Sequence, residues 1–418
     1  MSGDGPDVVV IGAGMAGLAC ARRLHELGRS CVVCEASGRV GGRVATDMID
    51  GYRLDRGFQV LLTSYPEARR WLDYEALDLR RIYPGALVRS RGRWHRVADP
   101  FRHPVDGLRG ILNPVGTLAD KLRVGWMRMR GFDFTRGGGE RDALEALREA
   151  GFSSVLIERF FRPFLGGVFL ENRLETSARK LEFVMRHFAA GDTAVPARGM
   201  GEIPRQMAAA LPDGVIRLGA RVEEIGEDGV RLAGGEVLRA RAVVVATDAA
   251  TAGRLTGLID EAEPVRWNGV ACLHYAARSA PVDEPVLMLN GEGEGVINNL
   301  TVMSAVSGDY APEGRHLVSV SVVDDEAARA ADVEDRVGRQ LRDWFDAEAA
   351  EWELLRTDRI AEGVPVQREV VEKPVRVRAG VYQCGDHCGV ASLNTAMASG
   401  AAAADAVAAD PGFTSGFR

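Results

Sequence analysis

Lysine is scarce in this chain of 418 residues. It stands only at Lys121, Lys180 and Lys373, and arginine supplies the rest of the positive charge. No function follows from that bias alone. Cysteine is sparse too, and six cysteines in so long a chain do not make a disulfide framework, which fits a reducing cytoplasm. No uninterrupted apolar stretch reaches the ~18 residues that a membrane-spanning helix needs. Residues 1–7 carry no basic region and the first apolar run reads as a strand, so no signal peptide is expected and the protein is placed in the cytoplasm. A net charge of −7 argues against a nucleic-acid partner. A hydrophobic fraction of 46% and a charged fraction of 27% are ordinary for a globular protein. The length predicts roughly two or three domains, or one composite domain around a large core.

What the chain does have is concentrated at its start. Val8–Ile11 is an apolar run that reads as a buried strand. Gly12, Gly14 and Gly17 follow at G-x-G-x-x-G spacing. A helical pattern comes next, with apolar Leu18, Ala21, Leu24 and Leu27, and Gly28 sits where a helix stop is expected. A second strand over 31–34 ends at Glu35 and Ala36. In that reading Gly12 allows the tight strand-to-helix turn. Gly14 lets a pyrophosphate approach the backbone, and Gly17 lets helix and strand pack closely. Met15 and Ala16 open the helix, whose free N–H groups and positive dipole end face the phosphates. Glu35 is placed to accept hydrogen bonds from a ribose. Strand, glycine turn, helix and terminal acid together predict a dinucleotide site, the alternative being a glycine-rich turn of structural use only.

The residues just past the acid narrow the dinucleotide. Arg39-Val40-Gly41-Gly42-Arg43 supplies a second glycine pair with flanking arginines, which a nicotinamide-binding unit does not need. G-x-G-x-x-G, then E, then R-x-G-G-R resembles the start of the flavin-containing amine oxidase and phytoene desaturase superfamily. The resemblance implies non-covalent FAD, with Arg43 beside Gly41 and Gly42 as a ligand of the diphosphate. Leu54-Asp55-Arg56-Gly57-Phe58-Gln59 resembles the next family segment, whose backbone runs past the flavin and brings in Gly57, Phe58 and Gln59. Near the other end, residues 380–386 read as a short strand ending in Gly385-Asp386, and in the family this aspartate serves the ribityl chain. Residues 392–400 then open a helix whose N-terminus, with Ser392, Asn394 and Ala396, would face the flavin pyrimidine, where negative charge grows on reduction. Between these ends, 240–247 reads as a strand, and 217–225 as the strand whose backbone near Val222 contacts adenine in the family. The resemblance covers nearly the whole chain and is strongest to small bacterial phytoene-desaturase-like members.

The fold it implies is α/β: a Rossmann-type, glutathione-reductase-like FAD-binding domain with an α+β substrate domain inserted in two segments. Residues 1–65, 195–255 and 365–418 are assigned to the first, and 66–194 and 256–364 to the second. Within the insertions, 61–79 suggests a helix interrupted near Pro66, and 86–97 suggests two strands around Arg91-Gly92-Arg93. Arg89, Arg91, Arg93 and Arg96 read as a solvated hairpin face or an anion site. Residues 101–129 mix Phe101, Leu108, Ile111, Leu112, Leu118, Leu122 and Trp126 with Arg102, Arg109, Lys121, Arg123 and Arg128. That pattern fits a helix packed on a core, or one lying on a membrane surface. Gly137-Gly138-Gly139 reads as a loop. Residues 152–188 are helical in pattern, and Phe160, Phe161, Phe164, Leu165, Val168 and Phe169 would bury an apolar face or line a tunnel. Strands over 271–277, 286–289, 296–302 and 316–323 predict an antiparallel wall, followed by a helix over 326–344 and a strand over 352–360. His274 reads as a core histidine or an acid–base group.

No metal site is expected. Cys31 and Cys34 fall on opposite faces of a strand, and Cys384, His387 and Cys388 surround a Gly-Asp that already has a flavin role. The expected activity is removal of two electrons from an organic substrate by hydride transfer to flavin N5. A desaturase or dehydrogenase of a lipophilic substrate ranks first, with dioxygen or a quinone as acceptor and peripheral membrane contact. An amine, amino-acid or porphyrinogen oxidase using dioxygen is the alternative, and a non-redox flavin-binding protein the third. Amine oxidases of this kind keep a lysine near N5. Lys373 is the late candidate, and Tyr275, Tyr310 and Tyr382 are the tyrosines available for an aromatic cage. No catalytic side chain is assigned.

Overall fold

The computed structural model describes residues 5–110, 113–136, 138–258, 265–323 and 325–411. Ile111, Leu112, Gly137, Pro264 and the terminal residues 1–4 and 413–418 lie outside them. No helix among the described residues is long and apolar enough to cross a membrane.

A six-stranded sheet is built from three stretches of chain. Its order is Ile216–Leu218, Cys31–Glu35, Val8–Ile11, Ala242–Val245, Val381–Gln383, Arg376–Arg378. All neighbours are parallel except the last pair. Val8–Ile11 and Ala242–Val245 are buried at every position, as strands covered on both faces must be. Cys31 packs toward one core and Cys34 toward the other, as the strand spacing requires. The stretch 217–225 is not one strand. Gly219 takes φ +69, and the chain turns there into Val222–Gly226, which pairs with Gly229–Leu232 in a separate three-stranded sheet.

Two helices cover one face. Met15–Glu26 buries Leu18, Ala21 and Leu24, and the alanine-rich Leu393–Ala409 crosses it. The crossing is a backbone contact: a Cβ on Gly400 would lie 2.1 Å from the Ala16 carbonyl oxygen. Gly17 is tighter still, its Cβ falling 1.9 Å from the Gly12 oxygen.

The second sheet has seven strands, in the order Glu353–Pro365, Trp267–Ala277, His316–Val322, Asn299–Val302, Leu287–Asn290, Gly85–Ser90, Arg93–Ala98. The antiparallel wall thus contains one parallel pair, Leu287–Asn290 with Gly85–Ser90, which brings the 85–98 hairpin into the same sheet. Two of the hairpin arginines have carboxylate partners, Arg89 with Glu292 and Arg96 with Glu284, while Arg91 and Arg93 are exposed at the turn. Two helical readings change. Pro66 starts the Pro66–Trp71 helix instead of interrupting one, because its missing N–H costs nothing at a first turn. The 152–188 pattern is broken after Phe169, where Leu170 adopts φ +56 and the Glu171 carboxylate accepts from Leu174 N and Thr176 N. Likewise the helix read over 326–344 is two, Asp325–Arg329 and Val333–Ala350.

The Gly400 contact generates a stability prediction. Gly400→Ala should destabilise the protein by about 1–3 kcal/mol through overpacking. Gly234→Ala, where an added Cβ meets nothing within 4 Å, should stay within about 0.5 kcal/mol of the parent. Thermal unfolding of the two variants side by side checks this, and equal midpoints would show that the helices do not touch at Gly400.

Candidate cofactor and substrate site

One cavity of about 1440 Å³ runs from the glycine-rich turn to the second sheet. That exceeds the ~300–1,000 Å³ of a site for one drug-sized ligand. Gly12, Gly14, Met15 and Ala16 line it, as do Glu35 and Ala36 at the end of the second strand. Gly41, Gly42 and Arg43 line it from the loop that follows, and Gly57, Phe58 and Gln59 from the next hairpin. Val222, Gly385, Asp386, Ser392 and Ala396 complete the set. Two of the residues singled out from the sequence are not on its wall. Gly17 lies beneath Gly12, and Asn394 spends its side-chain oxygen on the Glu67 N–H at 3.1 Å.

The groove end is shaped for an anion. Gly12 takes φ +103, a left-handed conformation that favours glycine, and so turns the strand into the helix. A Cβ on Gly14 would meet no atom within 4 Å, so the missing side chain leaves open space at the helix N-terminus. Neither the Met15–Glu26 helix nor the Leu393–Ala409 helix carries an acidic residue in its first turn. Both positive dipole ends are therefore available to phosphate or to a ring gaining negative charge. The open space, the unneutralised helix ends and the carboxylate of Glu35 fit the diphosphate and ribose of a dinucleotide.

Several polar side chains already have work within the protein. Glu35 accepts from Ala13 N and Ser37 N, both at 2.8 Å, which holds the turn and the following loop together. Gln59 donates its amide to the carbonyls of Arg43 and Arg56. Arg43 donates to Asp386 at 2.7 Å and to the Gly363 carbonyl at 2.9 Å, and lies 5.7 Å from the Trp267 ring centroid. Ser392 caps its helix by accepting from Thr395 N.

Beyond Arg43 the wall becomes apolar. Phe160, Phe161, Phe164 and Phe188 line it, with Val168 and Val184 between them. Leu165 and Phe169, grouped with them from the sequence, are buried in the core behind. The cavity opens between Phe101, Leu108, Leu118 and Leu122, which line it and are also more than half exposed. Seven of the twelve exposed large apolar side chains among the described residues fall within 101–129. Lys121 and Arg128 stand on the same opening.

Other candidates fall elsewhere. His274 is buried in the second sheet between Ser319, 3.1 Å from Nδ1, and Asp358, 3.3 Å from Nε2, away from the cavity wall. Tyr310 donates to Asp55 and Tyr382 to Asp410, and Tyr275 packs near Trp352. Lys373 is exposed and off the wall. Burial pushes the Cys384 thiol up and raises Cys388 to about 11, so both are neutral thiols. Among the described residues no group of three His, Cys, Asp or Glu side chains is arranged to hold a metal.

The buried lysine on the cavity wall is Lys180, which the sequence analysis does not single out. It is 3% exposed, and its ammonium lies 5.6 Å from the Phe169 ring centroid. Burial lowers its pKa to about 8, against the attraction of Asp386 and Glu171. A signal was present: Lys180, Val184 and Phe188 are spaced i, i+4, i+8, which sets the lysine in the apolar stripe of its helix.

Comparison with known proteins bears on family and fold. The sequence profile described as flavin containing amine oxidoreductase matches residues 15–408. Polyamine oxidase 1 of Oryza sativa subsp. japonica is 31% identical over 53% of this chain, but the match spans only 47% of its own length. Coproporphyrinogen III oxidase of Propionibacterium freudenreichii subsp. freudenreichii is 24% identical over 77% of this chain and 74% of its own. An oxidoreductase from Methanosarcina mazei superposes with a TM-score of 0.73 at 18% identity, covering 94% of this chain and 98% of that one, which shows the shared fold. The chain spans less than half the length of the first curated relatives it matches, and it belongs to the flavin containing amine oxidoreductase family.

Proposed function

We propose that this protein dehydrogenates a lipophilic substrate, in the manner of a phytoene-desaturase-like enzyme. The observation that carries the reading is the cavity itself. It joins the glycine-rich groove to an opening ringed by exposed apolar residues, by way of a stretch walled by phenylalanines.

In this reading the cofactor part comprises 1–65, 195–255 and 365–418, and the substrate part 66–194 and 256–364. Gly12, Gly14 and the first turn at Met15 and Ala16 hold the diphosphate, with Arg43 and the Gly41-Gly42 pair closing over it. Glu35 takes the ribose, and the backbone at Val222 takes the adenine. Asp386 accepts from the ribityl chain, and Gly57, Phe58 and Gln59 run beside the ring. FAD supplies the two-electron acceptor when bound. The first turn at Ser392 and Ala396 sets a positive dipole end where negative charge develops. The phenylalanine wall keeps water from the reacting carbon and orients it. Dioxygen or a quinone takes the electrons onward.

The opening suits a membrane surface. Leu118, Leu122, Trp126 and Met129 form one exposed stripe on the Leu118–Arg130 helix, with Lys121, Arg123 and Arg130 beside it. An apolar stripe flanked by cations is what an interfacial helix presents to anionic lipid. A second reading, oxidation of an amine or a porphyrinogen by dioxygen, is favoured by the names of the polyamine and coproporphyrinogen relatives.

Three outcomes follow. Asp386→Ala should weaken FAD retention by about tenfold or more, since a hydrogen bond to a charged group is lost; a titration showing unchanged affinity overturns the assignment of that residue. Anaerobic spectra of the yellow protein should bleach with apolar polyenes and recover slowly in air. Bleaching by an amine or porphyrinogen instead, with fast recovery and peroxide, establishes the second reading. The protein should float with vesicles containing phosphatidylglycerol, and a Leu122→Glu, Trp126→Glu double variant should remain at the bottom of the gradient. Equal flotation of both would remove 101–130 as the contact.

A further inference from the structure

The reading above leaves Lys180 unused. It sits in the first turn of the Ala178–Ala190 helix, which Ser177 caps through Arg179 N. It is 97% withdrawn from solvent and still forms part of the cavity wall. A buried ammonium is costly unless paired. The protein pairs this one poorly. The Asp386 oxygen Oδ1 is held by Arg43 at 2.7 Å. The Glu171 carboxylate is committed to Leu174 N, Thr176 N and Thr176 Oγ1. The Phe169 ring offers only its face. Among the described residues the ammonium makes no hydrogen bond, and Lys180 lines the cavity. Its donors lack an acceptor that only the contents of the cavity can supply.

Charges at the opening are differently placed. Arg102 and Arg128 both reach Asp99, and Lys121 donates to the Asn113 carbonyl. They are partnered and stand at the apolar rim. Lys180 stands at the inner end, where the phenylalanine-walled stretch meets Arg43 and Asp386.

We infer that Lys180 anchors the carboxylate of an otherwise apolar substrate, fixing its polar end beside the cofactor groove while the apolar length lies against Phe161, Phe164 and Phe188. This rests on the lipophilic-substrate reading and narrows it to a class, apolar chains or ring systems that carry an acid group. The three N–H donors of an ammonium suit one compact oxyanion, and a surrounding of low polarity strengthens the contact.

The test uses the FAD-loaded full chain and two probes of equal length, oleate and oleyl alcohol, each displacing a fluorescent fatty alcohol. The parent should bind oleate about tenfold or more tightly than the alcohol, as for a charge-assisted hydrogen bond. Lys180→Met should bring the two within about twofold, with alcohol affinity and FAD content unchanged. Lys180→Arg should restore most of the difference, and Lys121→Met should leave it intact. Oleate preference that survives Lys180→Met overturns the inference. So does a Lys180→Met variant that loses FAD while keeping that preference, because the acceptor then belongs to the cofactor. If neither probe binds the parent, the lipophilic reading itself fails. If both bind equally to the parent, only the role of Lys180 fails.

Discussion

Everything at the groove depends on how closely two helices can approach. The Ala16 carbonyl oxygen occupies the place where any side chain at Gly400 would begin, and the Gly12 oxygen does the same at Gly17. With no Cβ at either point, helix 15–26 packs onto the strand before it and helix 393–409 packs onto that helix. Their first residues then line the same cavity from opposite ends of the sequence. Two positive dipole ends in one enclosure would be costly if both were left facing water-poor space. Neither helix neutralises its end with an acid in the first turn. The arrangement is complementary to an anion, and a bound anionic cofactor adds its binding free energy to the folded state.

That part of the architecture was legible from the sequence because it is made of short-range requirements. A turn that needs φ +103 at Gly12 selects glycine, and a fully buried parallel strand selects a run such as Val8–Ile11. The order of strand, turn, helix and acid carries the topology with it. Other features depend on partners far along the chain. The parallel pairing of Leu287–Asn290 with Gly85–Ser90 leaves no mark in either strand's own pattern. The break after Phe169 comes from a non-glycine residue at positive φ and a carboxylate folding back onto its own turn, neither of which propensity announces. The side chains of Glu35 and Gln59 were read as cofactor contacts. They also build the loops that carry the neighbouring contacts, since each binds two backbone groups.

Lys180 shows the limit most clearly. A lysine is read as exposed unless something pairs it. Lys373, the late candidate by position, lies on the surface. What surrounds Lys180 is tertiary, the Phe169 ring under its ammonium and the carboxylates of Asp386 and Glu171 acting on it from farther along the chain. The helical spacing of Lys180 to Val184 and Phe188 sets the cation in an apolar stripe, against the usual preference of lysine for water.

The opposite end of the cavity raises a question of cost. Leu118, Leu122, Trp126 and Met129 stand in water, although the helix that bears them is firmly held. Thr117 and Asp120 form a reciprocal capping box, and Asp120 also accepts from Ser153 N and Ser153 Oγ. Burial alone would raise the Asp120 carboxyl, yet the hydrogen bonds from Ser153 and Thr117 outweigh it and hold the group below the usual carboxylate range. The helix is thus pinned by a charged, fully satisfied cap. Its inner side, at buried Met127 and half-buried Val124, joins the core cluster that holds Phe132, Phe134 and Phe152. A loosely held helix could roll its apolar stripe inward and recover roughly 25 cal/mol for each Å² removed from water. The cap and the buried face forbid that rotation. The exposure is therefore built into the described fold, at Leu118 and Leu122, which also line the cavity.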